Sequence, residues 1–267
     1  MKHERIERCD TIGQRRLGMA ECGWRGLSEG WLLRHLGDVH WRQIADAMGQ
    51  QAAVFHDATG APVYAAFCAI SERIAQPELA RPGALLTIAS RLRRLSATRL
   101  ISFHSLDIGG EDFAEVTLIT AFVRHGVGGN AHIRRAQPVG KLDLPMMEAG
   151  ADDGFAEEAA QLYRGAGSAG DTLQTDVTPC PTTEFNAAGL LYCANYPALA
   201  DRAEWALYPE AATRMLTRRK IVFLGNVDAG ERVTAAVHTD RAKPDRHSIT
   251  LASNGRVIAQ VVTEKLS

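Results

Sequence analysis

The chain has 267 residues, of which 46% are hydrophobic and 23% charged, and its net charge at neutral pH is −1. Such a composition excludes a disordered or fibrous chain, and the length allows one large domain or two small ones. The balanced charge points neither to a nucleic acid nor to a membrane surface as partner.

The first residues, Met1 to Arg8, are charged and lack the apolar stretch of a secretory signal. No apolar run approaches the roughly 18 residues that a membrane span needs. The five cysteines, Cys9, Cys22, Cys68, Cys180 and Cys193, are odd in number and widely spaced. They read as reduced thiols in a cytoplasm, without ligand spacing for zinc.

The first expected helix runs from about Ser28 to Met48, with Leu32, Leu36, Val39, His40, Ile44 and Met48 at helical spacing. Ser28 is its expected N-cap, Glu29 favours the positive end of the dipole, and Gly49 ends it. Strands are expected over 53–56 and 62–70, on either side of the turn signal Asp57-Ala-Thr-Gly60, and then over 85–95, 98–108 and 113–123. From Arg124 to Thr183 the pattern dissolves into glycines and prolines, with a short helix expected near 153–163. So long a stretch reads as a connector between domains. Beyond it, Asn186 is an expected N-cap for a helix over 187–207, which Pro197 should bend. Strands over 218–224, 231–239, 247–251 and 256–262 close the chain, with Asn254-Gly255 as a hairpin signal between the last two.

The plan is thus repeated: a long apolar helix, then antiparallel strands. Two sheets that each wrap a central helix give an α+β, double hot-dog arrangement, with hot-dog domains over 1–124 and 184–267 and a connector over 125–183. The sequence leaves open a further pairing into a homodimer.

Two stretches carry a family resemblance. They are Gly26-Leu-Ser-Glu-Gly-Trp-Leu-Leu-Arg-His-Leu-Gly-Asp-Val-His-Trp41 and Phe185-Asn-Ala-Ala-Gly-Leu-Leu-Tyr-Cys-Ala-Asn-Tyr-Pro-Ala-Leu-Ala-Asp-Arg-Ala-Glu-Trp205. Together they resemble the bifunctional acyltransferase/decarboxylase family of leinamycin-type polyketide biosynthesis. The resemblance implies a double hot-dog fold, decarboxylation of methylmalonyl-CoA and delivery of propionyl to an acyl carrier protein, with a CoA thioester as substrate and no bound cofactor. It also implies a tyrosine for acyl transfer on a strand after the first helix. The matching segment is Pro62-Val-Tyr64-Ala-Ala-Phe, so Tyr64 is the candidate.

The residues supply their own chemical reading. Hot-dog thioesterases carry Asp-x-x-Gly at the start of the central helix and an aromatic residue seven positions after the glycine. Here the pattern is Asn186-x-x-Gly189 with Tyr196, and Leu190 stands where a histidine often follows. An amide can be neither nucleophile nor base, which disfavours hydrolysis by that route. Asn186 is a cap, a site residue or both. Gly189 could offer its N–H to a developing enolate oxygen, or serve close packing. Tyr64 could accept the acyl group, donate a hydrogen bond, or be an ordinary half-buried strand residue.

Ser28 and Glu29 occupy the place equivalent to Asn186 in the first half, where Glu29 could act as a base or simply favour the helix dipole. His40, with Asp38 near it, could reach a cleft or be structural, and Trp41 reads as core. Tyr192, Asn195 and Glu204 could line the second cleft, and a dehydratase could be assembled from His40 and Glu204. The clusters Arg91, Arg93, Arg94, Arg99 and Arg214, Arg218, Arg219, Lys220 could meet phosphate or an acidic carrier, or protect sheet edges. A thioesterase or dehydratase and a non-catalytic carrier-binding module are the alternatives. The sequence does not say which of two pseudo-equivalent clefts is active.

Overall fold

A computed structural model describes residues 10–164, 171–240 and 243–266. Strand β1 (Asp10–Arg16) and two short strands, β2 (Cys22–Gly23) and β3 (Gly26–Leu27), lead into helix α1 (Glu29–Ala47). Strands β4 (Phe55–His56), β5 (Pro62–Ile74), β6 (Leu85–Arg94), β7 (Arg99–Ile108), β8 (Glu111–Gly126) and β9 (Gly129–Arg135) complete the first half. Helix α2 (Phe155–Arg164) and strand β10 (Asp171–Val177) follow, then helices α3 (Pro181–Glu184), α4 (Tyr196–Leu207) and α5 (Pro209–Ala212). Strands β11 (Leu216–Phe223), β12 (Val233–Asp240), β13 (Lys243–Ser253) and β14 (Arg256–Lys265) end the chain.

One antiparallel sheet runs β1-β6-β7-β8-β5-β11-β14-β13-β12-β10, with β4 and β9 pairing onto β5 and β8 to make twelve strands. The order is a palindrome of architecture: β1, α1, β5, β6, β7, β8 in the first half answer β10, α4, β11, β12, β13, β14 in the second. The halves meet where β5 pairs with β11, Glu72 opposite Arg219 and Ala69 opposite Val222. This is the double hot-dog fold, with one difference from expectation. The two expected sheets are fused edge to edge into one, through the pairing of β5 with β11 over Ala69–Arg73.

Helix α1 forms where the pattern placed it. Ser28 caps it by accepting from Trp31 N at 3.3 Å, and Leu32, Leu33, Leu36 and Ile44 are fully buried against the inner face of the sheet. Each such side chain contributes about 1.5–3 kcal/mol of burial. The Asn254-Gly255 turn also forms as expected, both residues at positive φ, +50° and +73°.

Other expectations need correction. Asn186 caps no helix: α4 begins at Tyr196, after a single 3-10 turn over Cys193–Asn195. Pro197 sits in the first turn of α4, where its missing N–H has no partner to lose, so it starts the helix rather than bending it. The stretch 125–183 contains the end of β8, then β9, α2 and β10, and β10 pairs with β12 in the main sheet. Helix α2 covers the outer face, with Phe155 and Ala159 packed on Ala69, Ile101, Ile119 and Val222 and an ion pair between Glu158 and Lys220.

Candidate functional site

The sheet opens at one place. Strand β5 pairs with β11 only over Ala69–Arg73, and a bulge at Cys68 separates that register from the preceding one. Bulges end regular pairing and re-aim side chains. Upstream, β5 keeps β8 on one side, while β4 pairs with it only at Pro62 and Val63. Residues 64–68 therefore present one edge to a window between the two halves. Beyond β11, Leu224 and Gly225 turn away to donate to Ile258 O at 2.8 and 3.1 Å.

A cavity of about 1160 Å³ fills this window and is lined from both faces of the sheet. On the inner side it meets Trp41, Phe67, Leu191, Tyr192 and Tyr196. On the outer side it meets Tyr64, Cys68, Arg99, Arg135 and the small residues Ala156, Ala159 and Ala160 of α2. No Asp or Glu occurs among the described lining residues.

The segment Phe185–Leu191 is a closed loop rather than a helix start. Phe185 and Leu191 form a β-bridge, and Asn186 Oδ1 accepts from Ala188 N at 3.0 Å and Leu190 N at 3.1 Å. Gly189 N donates to Asn186 O at 2.9 Å, so the expected oxyanion donor is already engaged. Gly189 turns the loop at φ +72°, the left-handed region that glycine enters freely. Asn186, Ala187, Ala188 and Leu190 line the cavity, and Gly189 is not among the lining residues.

Three side chains that the sequence did not single out hold this loop. Asn130, buried after the Gly128-Gly129 turn, donates to Gly189 O and to Val227 O, both at 2.7 Å. Asn226 accepts from Leu191 N at 2.9 Å and donates to Leu191 O at 3.0 Å. His125 Nε2 donates to Ala188 O at 3.0 Å, and its ring meets that of Tyr64 edge-on, with centroids 5.7 Å apart. His125 thus links Tyr64 to the loop. The polar residues of the Gly-rich turns were the available signal, but nothing in the sequence aimed them at Asn186.

Tyr192 and Tyr196 line the cavity as expected. A Cβ on Gly37 would lie 3.2 Å from the Tyr192 hydroxyl, so that glycine of α1 lets the ring in. Tyr196 OH donates to Gly225 O at 2.8 Å. Burial raises both phenols above the ordinary tyrosine range, and raises the Cys193 thiol beside them to about 12.

The remaining candidates lie elsewhere. Asn195 is buried away from the cavity, accepting from Arg34 Nη2 at 2.6 Å and donating to Glu184 O at 2.7 Å. His40 is enclosed in a hydrogen-bonded chain, Thr120–His40–Ser102–His104–Ser90, with contacts of 2.7 to 2.9 Å. Burial lowers both imidazoles to about 3 and keeps them neutral. His40 is therefore structural, and it does not meet Glu204.

Ser28 and Glu29 mark the pseudo-equivalent second place, which is filled by charge. Buried Arg219 reaches Asp201 Oδ1 at 2.8 Å, Glu29 Oε1 at 3.1 Å and Thr263 Oγ1 at 3.1 Å. Burial raises Glu29 to about 7 against the pull of Arg219, and raises Glu72 beside it as well. Glu204 accepts from His247 Nδ1 at 2.7 Å and Lys265 Nζ at 2.6 Å. Burial alone would raise Glu204, but these partners and Arg219 hold it at about 2. Of the basic clusters, Arg93 pairs with Asp10, Arg214 with Asp245 and Lys220 with Glu158, while Arg99 alone reaches the cavity.

Neither a family model nor a curated protein matches the sequence. Solved structures do. An acyl-ACP thioesterase from Bacteroides thetaiotaomicron aligns over 96% of this chain and 97% of its own, with TM-score 0.66 and 10% identity. A 12:0-ACP thioesterase from Umbellularia californica aligns over 98% of both chains, with TM-score 0.67 and 8% identity. A MaoC-like dehydratase from Phytophthora capsici covers 77% of this chain and 72% of its own, with TM-score 0.50 and 11% identity. At these identities the likeness is one of fold, and the fold they share with this chain is the hot-dog.

Proposed function

We propose that the chain is an enzyme acting on an acyl thioester, carried on CoA or an acyl carrier protein, at the window between its halves. The full-length likeness to two acyl-ACP thioesterases supports the substrate class. So does a large cavity whose inner wall is aromatic and aliphatic. The resemblance of the two long stretches supports decarboxylation of a malonyl- or methylmalonyl-type thioester with transfer of the acyl group to a carrier.

The observation that carries the decarboxylative reading is the state of Asn186. Its Oδ1 is consumed by Ala188 and Leu190 N–H, and the described cavity wall offers no carboxylate in its stead. A carboxylate route to hydrolysis or dehydration is therefore closed, and the wall's remaining groups that could take a proton or attack include His56, Tyr64, Cys68 and Cys193, with both thiols raised by burial. Loss of carbon dioxide needs no such group. The bond to the carboxyl carbon breaks, its electron pair moves into the thioester as an enolate, and the protein stabilises charge on the oxygen. The α-carbon then takes a proton from water to give the propionyl thioester, and the carrier thiol attacks its carbonyl as CoA leaves as the thiol. Tyr64, which lines the cavity beside His125, is the donor we assign to the enolate oxygen.

The second reading is a thioesterase or dehydratase, and the activities of the fold's relatives favour it over decarboxylation. One incubation separates them: the chain with methylmalonyl-CoA and a phosphopantetheinylated carrier protein. Carbon dioxide and propionyl-carrier are expected. Free methylmalonic acid with CoA would replace the reading by hydrolysis, and binding without turnover would leave a carrier-binding module.

A further inference from the structure

We infer that Arg99 and Arg135 form an outer subsite for the phosphate of a phosphopantetheine arm, an inference that rests on the acyl-thioester reading above. Both residues line the cavity on the outer face of the sheet near Cys68, whose thiol burial raises and both guanidinium charges, with a hydrogen bond from Arg135, pull down. Neither is paired with a carboxylate among the described residues, whereas Arg73, Arg93, Arg124, Arg202 and Arg219 each have one. The third arginine of the wall, Arg256, is already spent on the carbonyls of Ala131 at 3.1 Å and Asn226 at 2.8 Å, and so braces the loops. Two unpaired cations in a wall free of described carboxylates attract an anion, and a guanidinium matches phosphate in both charge and geometry.

The position selects which anion. Arg99 pairs in register with Ala121, and Arg135 with Val123, the residue opposite Tyr64. The arginines therefore share the outer face with Tyr64, while the apolar pocket behind the window, at Trp41 and Phe67, lies on the inner face. A thioester with its acyl group inside and its carbonyl at Tyr64 leads its carrier arm outward past Cys68 toward these arginines. The phosphate at the end of that arm is common to CoA and to a carrier protein. Alanines at 156, 159 and 160 on α2 keep this outer channel wide.

The test is a ladder of three probes bound to the full chain and measured by calorimetry: propionyl-pantetheine, propionyl-4′-phosphopantetheine and propionyl-CoA. Adding the 4′-phosphate should tighten binding about tenfold or more. Arg99→Gln and Arg135→Gln should each remove most of that gain and leave propionyl-pantetheine within twofold of the parent. The wild-type ladder needs no variant to fold, so it stands alone. Equal binding of all three probes, or a gain appearing only with CoA, overturns the subsite while leaving the thioester reading intact. Failure of every probe to bind overturns both.

Discussion

Replacing Arg219 by Met should unsettle the charged cluster in the second half-site, and by a calculable amount. The side chain is 1% exposed and faces Glu29, Asp201 and Thr263. Methionine fills similar volume, so the cavity cost is small, and the loss is electrostatic. Glu72 is buried, the Glu29 side chain is only 13% exposed and Asp201 is half open to water, so two carboxyls lose their compensating cation. Breaking a buried pair by removing one partner costs about 3–5 kcal/mol. For a chain of this size that is a fall in Tm of roughly 8–15 °C.

The pH dependence follows from the direction of the shifts. Glu29 and Glu72 are raised in the folded state, so their contribution is full below the unfolded carboxyl pKa and is lost as pH rises through about 7, the Glu29 value. Without Arg219 both rise further. The penalty of R219M should thus be largest near pH 8 and smaller near pH 5 by at least about 1.4 kcal/mol, one pH unit's worth for one group. Urea unfolding of both proteins at the two pH values measures it. A penalty below about 1 kcal/mol, or one that grows toward acid, would refute the cluster's charge assignment.

The two buried histidines give an opposite slope. Both are neutral when folded, so below pH 6.5 the unfolded chain takes up protons that the native state refuses until about pH 3. Stability should fall by about 1.4 kcal/mol per pH unit for each, and NMR should show two imidazoles that do not titrate between pH 8 and 5. Asn186→Ala leaves the amides of Ala188 and Leu190 without an acceptor and should cost about 1–3 kcal/mol in denaturant unfolding. An unchanged midpoint would show that the loop does not depend on the clip. Gly189→Ala meets no atom within 4 Å but must hold φ +72°, so a loss of about 1–2 kcal/mol is expected by the same measurement, and none would mean the loop relaxes. Tyr64→Phe should lower turnover of methylmalonyl-CoA roughly 10²-fold, the effect of removing one donor to a developing oxyanion, with Tm unchanged. Full activity in the variant would remove Tyr64 from the chemistry.

Local signals were sufficient for α1, strands β4 to β8 and β11 to β14, and the Asn254-Gly255 turn, because each depends on periodicity or on φ preference within a few residues. Asn186, Tyr192 and Tyr196 were legible as candidates because they lie in recognisable spacings, and Tyr64 because the family resemblance implied it. The same local signals misread 187–195 as helix. Its apolar run has helical spacing, but Asn186 bonds to its own loop, and that competition between side chain and helix is settled only when Asn130, Asn226 and His125 arrive from distant strands to hold it. Strand β10 was hidden for a related reason: its seven residues become a strand by pairing with β12. The choice between two pseudo-equivalent clefts was beyond any local pattern. Helices α1 and α4 start in matching places, at Glu29 and Tyr196, yet the first start is closed by Arg219 from β11 and the second lines an open window. That difference exists only once β5 and β11 are side by side, because it is made by the register at which they stop pairing.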